Sequence, residues 1–125
     1  ISRSLDMARN CRVILAHMGG WRNWDEALRL FAGRVNVYVD TAFSLGRFTP
    51  NGDGFYPGGD ECEMLRPDEF TDMVRAFGSE RVIFGTDSPW MSQRDCVKAL
   101  MSLPLSDDEK MNILYKNARD IVPAV

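Results

Sequence analysis

The chain has 125 residues, 45% of them hydrophobic and 26% charged, and a formal net charge of -3 at pH 7. This composition excludes collagen-like, coiled-coil and low-complexity chains, and the acidic balance with no basic run excludes a binder that works by neutralising nucleic-acid phosphates. No apolar run approaches the ~20 residues that span a bilayer, so no membrane partner is expected.

In chain order, Leu5 and Ala8 at short helical spacing read as the tail of a helix. The run Val13-Ile14-Leu15-Ala16 reads as a strand, and Trp24, Ala27, Leu28 and Phe31 recur at the spacing of one helix face. Asn23 with Glu26 three residues on is a capping-box pair for that helix, and Gly33 a left-handed stop. Val35, Val37 and Val39 with Tyr38 form a second, β-branched strand. Phe70, Met73, Val74 and Phe77 mark the next helix, with Pro67 in its first turn and Gly78 at its end. A third strand is expected over Val82-Ile83-Phe84. Its helix begins near Ser92 with Val97, Leu100 and Met101 facing inward. The last helix opens at Ser106 with Glu109 as a capping-box partner and buries Ile113 or Leu114, Ala118 and Ile121.

The order is therefore a helix end, three βα units and one extra helix. Alternating βα units with nearly continuous apolar strands predict an α/β fold of parallel strands buried on both faces. A slice of a (β/α)8 barrel and a small doubly wound sheet both satisfy this. A closed barrel needs roughly 250 residues, twice what is here. A connection of about two dozen residues, 42–66, carries Gly-rich turns and the acids Asp53, Asp60, Glu61 and Glu63; loops of that length are lids, binding loops or surface insertions. The acids miss the calcium-loop spacing.

Each strand ends in an ionisable residue: His17, Asp40 and Asp87. In parallel α/β folds the carboxyl ends share one face, where ligands bind. A neutral imidazole and carboxylates converging there suit a divalent cation such as zinc, and a carboxylate can take a proton from metal-bound water. The alternatives are a hydrogen-bonded structural role for His17, the only histidine, and a turn-capping role for Asp87 before Ser88-Pro89. Asp40 reads as structural or as a support for the others. Gly19 and Gly20 let the backbone turn sharply after His17. Trp21 and Trp90 stand near the same strand ends as candidate pocket walls, with core packing as the alternative, while Trp24 fits the helix core. No Gly-x-Ser-x-Gly elbow, dinucleotide-binding glycine motif or P-loop lysine is present. Cys11, Cys62 and Cys96, widely spaced and odd in number, point to a reducing, cytoplasmic compartment.

Taken together, VILAHMGG with a following Trp, RVNVYVDTA, FGSERVIFGTDSPW and LSDDEKMNILYKNARDIV resemble the carboxyl-terminal part of the amidohydrolase-related family. That family comprises metal-dependent hydrolases and decarboxylases on a (β/α)8 barrel. The resemblance implies a single-domain barrel enzyme of which residues 1–125 are the carboxyl-terminal portion. It implies a strand-end histidine, His17, contacting the catalytic metal or the substrate, and a last-strand aspartate, Asp87, as metal ligand and acid/base. It implies a structural role for Asn117 and Ala118. The family's first-strand His-x-His pair is missing, so the chain reads as a fragment, inactive alone and holding no metal tightly. With two bare sheet edges, it is expected to self-associate or to join the absent amino-terminal part. The expected activity is metal-dependent hydrolysis of a small carbonyl-containing substrate. The alternatives are decarboxylation at the same site and a non-catalytic ligand-binding module.

Overall fold

The structure, a computed structural model, describes residues 2–8, 10–46 and 64–122. The elements are α1 (Ser2–Met7), β1 (Val13–Leu15), α2 (Trp24–Phe31), β2 (Val37–Asp40), α3 (Pro67–Phe77), β3 (Val82–Ile83), α4 (Gln93–Ser102), α5 (Asp107–Met111) and α6 (Asn117–Ile121). A π-helical turn, Asn112–Lys116, joins the last two. The three strands are parallel in the order β1-β2-β3, with Val13 beside Val37, Leu15 beside Val39 and Asp40 beside Ile83.

Alternation along the strands separates two faces. Val37, Val39 and Val82 are buried under the helices, where they meet Ala27 and Phe31 of α2 and Phe70, Met73, Val74 and Phe77 of α3. On the opposite face Ile14 is 46% exposed and its registered neighbour Tyr38 is half-buried. Strands buried on both faces were expected; among the described residues only one face is covered. No helix of the described residues is long and apolar enough to cross a membrane.

Local signals held where both partners lie close in sequence. Ser92 accepts the Asp95 N–H, Ser106 and Glu109 form a reciprocal capping box, and Gly78 ends α3 at φ +88. Corrections fall at four places. Asn23 sits at the start of α2 without capping it, its amide donating to the Trp21 carbonyl at 3.4 Å instead. Gly33 is not left-handed: Ala32 stays helical, the Leu30 carbonyl in the last turn accepts Arg34 Nε–H at 3.2 Å, and the Arg81 guanidinium bonds the Ala32 and Arg34 carbonyls just beyond. Val35 lies before β2 and is exposed. On α4, Cys96 and Leu100 face inward while Val97 and Met101 are exposed.

The outer edge of β3 is not bare, which corrects the expectation of two unpaired edges. The Phe84 N–H donates to the Ile113 carbonyl at 2.9 Å, within the π-helical turn. Buried Asn117 donates its amide to the carbonyls of Ser79 and Val82, at 2.7 Å each. The last helical segment thus satisfies two polar groups at this edge. The base of the long connection is also tied, since the Leu65 N–H donates to the Ser44 carbonyl at 3.1 Å. Its acids Asp53, Asp60, Glu61 and Glu63 lie outside the described residues.

Asn117→Ala takes the amide donor from the Val82 carbonyl and leaves the Ser79 carbonyl only the Val82 N–H, and an unmade buried hydrogen bond costs about 1–3 kcal/mol. Urea unfolding is expected to show a lower midpoint at an unchanged slope.

Candidate active site

Because the strands are parallel, their carboxyl ends lie on one side of the sheet, and the three ionisable residues meet there. The chain leaves β1 through a tight turn, His17–Gly19, in which His17 (φ 59) and Met18 (φ 53) are both left-handed. Such conformations are uncommon for side-chain-bearing residues and persist only where surrounding contacts enforce them. Met18 is fully buried. Gly19 is required by close approach: a Cβ there would stand 2.7 Å from the Ala27 Cβ of α2.

Several bonds hold His17. Its N–H donates to Asp40 Oδ1 at 2.8 Å, and its carbonyl accepts Trp24 Nε1–H at 3.1 Å and the Gly20 N–H at 3.1 Å. Its ring Nδ1 lies 3.0 Å from the Ala42 carbonyl oxygen. A carbonyl only accepts, so Nδ1 is the protonated nitrogen and Nε2 keeps the lone pair in the neutral ring. Trp24 therefore packs against the core, as its spacing predicted, and also pins the backbone of His17.

Asp40 is half-buried, and its Oδ1 also accepts the Ala42 N–H at 3.1 Å. Burial pushes its carboxyl above the ordinary range, the two N–H groups and the charge of His17 pull it down, and the neighbouring Asp87 carboxylate pushes it up again. Asp87 is exposed, at φ 54 in the turn after β3. Ser92, not Asp87, caps the following helix, and among the described residues no hydrogen bond or ion pair engages the Asp87 carboxylate. Asp87 opens the turn that follows through its carbonyl, which accepts the Trp90 N–H at 3.0 Å, and not through its carboxylate. Buried Thr41 steadies the approach to Asp87, donating its hydroxyl to the Gly85 carbonyl at 2.8 Å and accepting the Gly85 N–H at 3.0 Å.

Trp21 and Trp90 join one apolar cluster with Phe43, Met91 and Cys96. Phe43 is its hinge, meeting the His17 ring edge-on at 6.1 Å between centroids and the Trp21 ring edge-on at 5.4 Å. Phe43 belongs to no sequence motif, although it follows Asp40 by three residues, as closely as Gly20 follows His17. A groove of about 610 Å³ lies alongside, lined by Phe84, Gly85, Thr86, Arg94 and Val97 among others. Among the described residues no three His, Cys, Asp or Glu side chains cluster closely enough to hold a metal ion. His17 and Asp87 suit a divalent cation as donors, but they make at most part of a coordination set.

Residues 1–124 match the family model described as Amidohydrolase. Among solved structures, the chain is similar to a dihydroxybenzoic acid decarboxylase from Polaromonas sp. JS666 with bound manganese and the inhibitor 2-nitroresorcinol. The identity is 17%, with 94% of this chain and 35% of that one covered at a TM-score of 0.59. It is also similar to 5-carboxyvanillate decarboxylase from Sphingomonas paucimobilis, at 17% identity, 96% and 36% coverage and a TM-score of 0.59. A third match is an amidohydrolase 2 protein from Bifidobacterium longum subsp. infantis, at 18% identity, 96% and 43% coverage and a TM-score of 0.58. At these identities the likeness is one of fold, and the chain spans 35–43% of the length of these structures. No curated protein matches it.

Gly19→Ala combines a left-handed backbone with the 2.7 Å approach to Ala27. It is expected to destabilise the chain by about 1–3 kcal/mol, read as a lower thermal midpoint.

Proposed function

The chain belongs to the amidohydrolase family, and on that premise we propose that it is the carboxyl-terminal part of a (β/α)8-barrel, metal-dependent hydrolase acting on a small carbonyl-containing substrate. The observation that carries this reading is the convergence of His17, with its Nε2 lone pair available, and the unengaged Asp87 carboxylate at the carboxyl ends of parallel strands. Coverage of only about a third to two-fifths of the similar structures supports the reading of a part, and the open sheet face beside Ile14 and Tyr38 supports a remainder that covers it. That remainder, or a second copy of the chain, is the proposed partner.

His17 and Asp87 are the residues proposed to hold a divalent cation together with donors outside the described residues. Bound there, such an ion supplies Lewis acidity and lowers the pKa of its water toward neutrality. The manganese in one similar structure supports a divalent ion of this class, with zinc the other candidate. Asp87, exposed and with no ion-pair partner among the described residues, takes up a proton as base and returns it as acid. His17, its ring fixed by Ala42, presents Nε2 to the ion or to the substrate oxygen. Trp21, Phe43 and Trp90 give the mouth an apolar wall that excludes water and suits a planar substrate.

Decarboxylation is the second reading, favoured by the decarboxylases among the similar structures. In that case Asp87 delivers its proton to the substrate carbon that loses carbon dioxide. Product analysis separates the two, since only one releases carbon dioxide.

In the complete protein, His17→Ala and Asp87→Ala are each expected to lower kcat/KM by about 10²–10⁴ with an unchanged circular dichroism spectrum. Wild-type turnover in either variant refutes the assignment. The 125-residue chain, dialysed after exposure to zinc or manganese, is expected to keep less than one equivalent; a tightly held equivalent shows that its own residues complete the site.

A further inference from the structure

We propose that Asp40 is a positioning residue whose carboxylate oxygen, by gripping the amides of His17 and Ala42 together, sets the His17 ring in its Nδ1–H form and leaves Nε2 as the reactive nitrogen. The bonds close on themselves. Asp40 Oδ1 accepts the His17 N–H at 2.8 Å and the Ala42 N–H at 3.1 Å, and the Ala42 carbonyl accepts His17 Nδ1–H at 3.0 Å. One oxygen thus fixes both ends of the ring's own hydrogen bond: the backbone from which the imidazole springs and the peptide that receives its proton.

The constraint is tighter than a single contact. The Ala42 oxygen also accepts the hydroxyl of fully buried Ser44 at 3.0 Å, so both of its lone pairs are committed to donors. Ala42 is itself buried, and the outward-turned backbone of His17 at φ 59 is held at its carbonyl by Trp24 and at its N–H by Asp40. Without the carboxylate, the Ala42 peptide and the His17 turn lose their common anchor. The ring is then free to exchange its Nδ1 proton for one on Nε2, where it blocks both metal ligation and proton acceptance. The inference rests on the proposed role of His17 only for its catalytic consequence; the ring state is measurable without activity.

His17 is the only histidine, so long-range ¹H–¹⁵N correlation on the untagged, ¹⁵N-labelled chain sees one imidazole. At a pH where the ring is neutral, the wild type is expected to carry its proton on Nδ1. Asp40→Asn, which retains an acceptor oxygen, is expected to keep that form. Asp40→Ala is expected to lower the ratio of Nδ1–H to Nε2–H at least fivefold. A residue serving only as a structural support would change stability without moving this ratio. A folded Asp40→Ala chain with the wild-type ratio overturns the proposal, and so does a wild-type ring protonated on Nε2, whether or not any variant folds. If the ring behaves as stated while His17→Ala in the complete protein retains activity, the functional reading fails and the positioning role stands.

Discussion

Everything at the mouth of this molecule depends on three neighbouring strands running the same way. A parallel ladder forces each return through a crossover, so the helices fall outside the sheet and every carboxyl end points to one side. Val37, Val39 and Val82 supply the apolar adhesive beneath the helices, and the same alternation leaves Asp40 on the opposite face beside Ile83. Residues as distant in sequence as His17 and Asp87 therefore become neighbours of one carboxylate. The chemistry is a by-product of strand direction.

What could be read from the sequence was what short-range physics decides. Four apolar positions at 3.6-residue spacing in α3 all reach the core, and the caps at Ser92 and Ser106 are made within a single turn. On α4 the stripe Val97, Leu100 and Met101 is right at Leu100 alone: the buried face is turned toward Cys96, whose packing against Leu45 and Phe43 leaves Val97 and Met101 exposed. The strand-end rule located His17, Asp40 and Asp87, which the structure does bring together. It could not disclose the roles of Phe43, Trp24 or the Ala42 carbonyl, because these arise from left-handed turns and contacts whose partners lie many residues away. Arg81, bonding the Ala32 and Arg34 carbonyls from nearly fifty residues away, is the same lesson just past a helix end.

Electrostatics at the mouth is lopsided toward negative charge. Asp40 pays a burial cost that two amide donors partly offset, and Asp87 adds a second carboxylate within electrostatic reach. Two carboxylates in electrostatic contact beside the His17 ring favour the arrival of positive charge, which is the electrostatic support for the proposed divalent ion. Under the proposed reading two donors come from this chain and the rest from outside the described residues, as suits a chain that covers a minority of the length of its similar structures.

The stitching of β3 by Asn117 and the Ile113 carbonyl bears on the order of events during synthesis. The strand that delivers Asp87 emerges from the ribosome about thirty residues ahead of the groups that occupy its outer edge, counting from Val82 and Phe84 to Ile113 and Asn117. Until residues 112–117 follow, that edge is exposed to any passing backbone, while β1 and β2 already have each other. The groups that satisfy this edge are thus made after the strand they serve, so its polar backbone waits on the last helical turns.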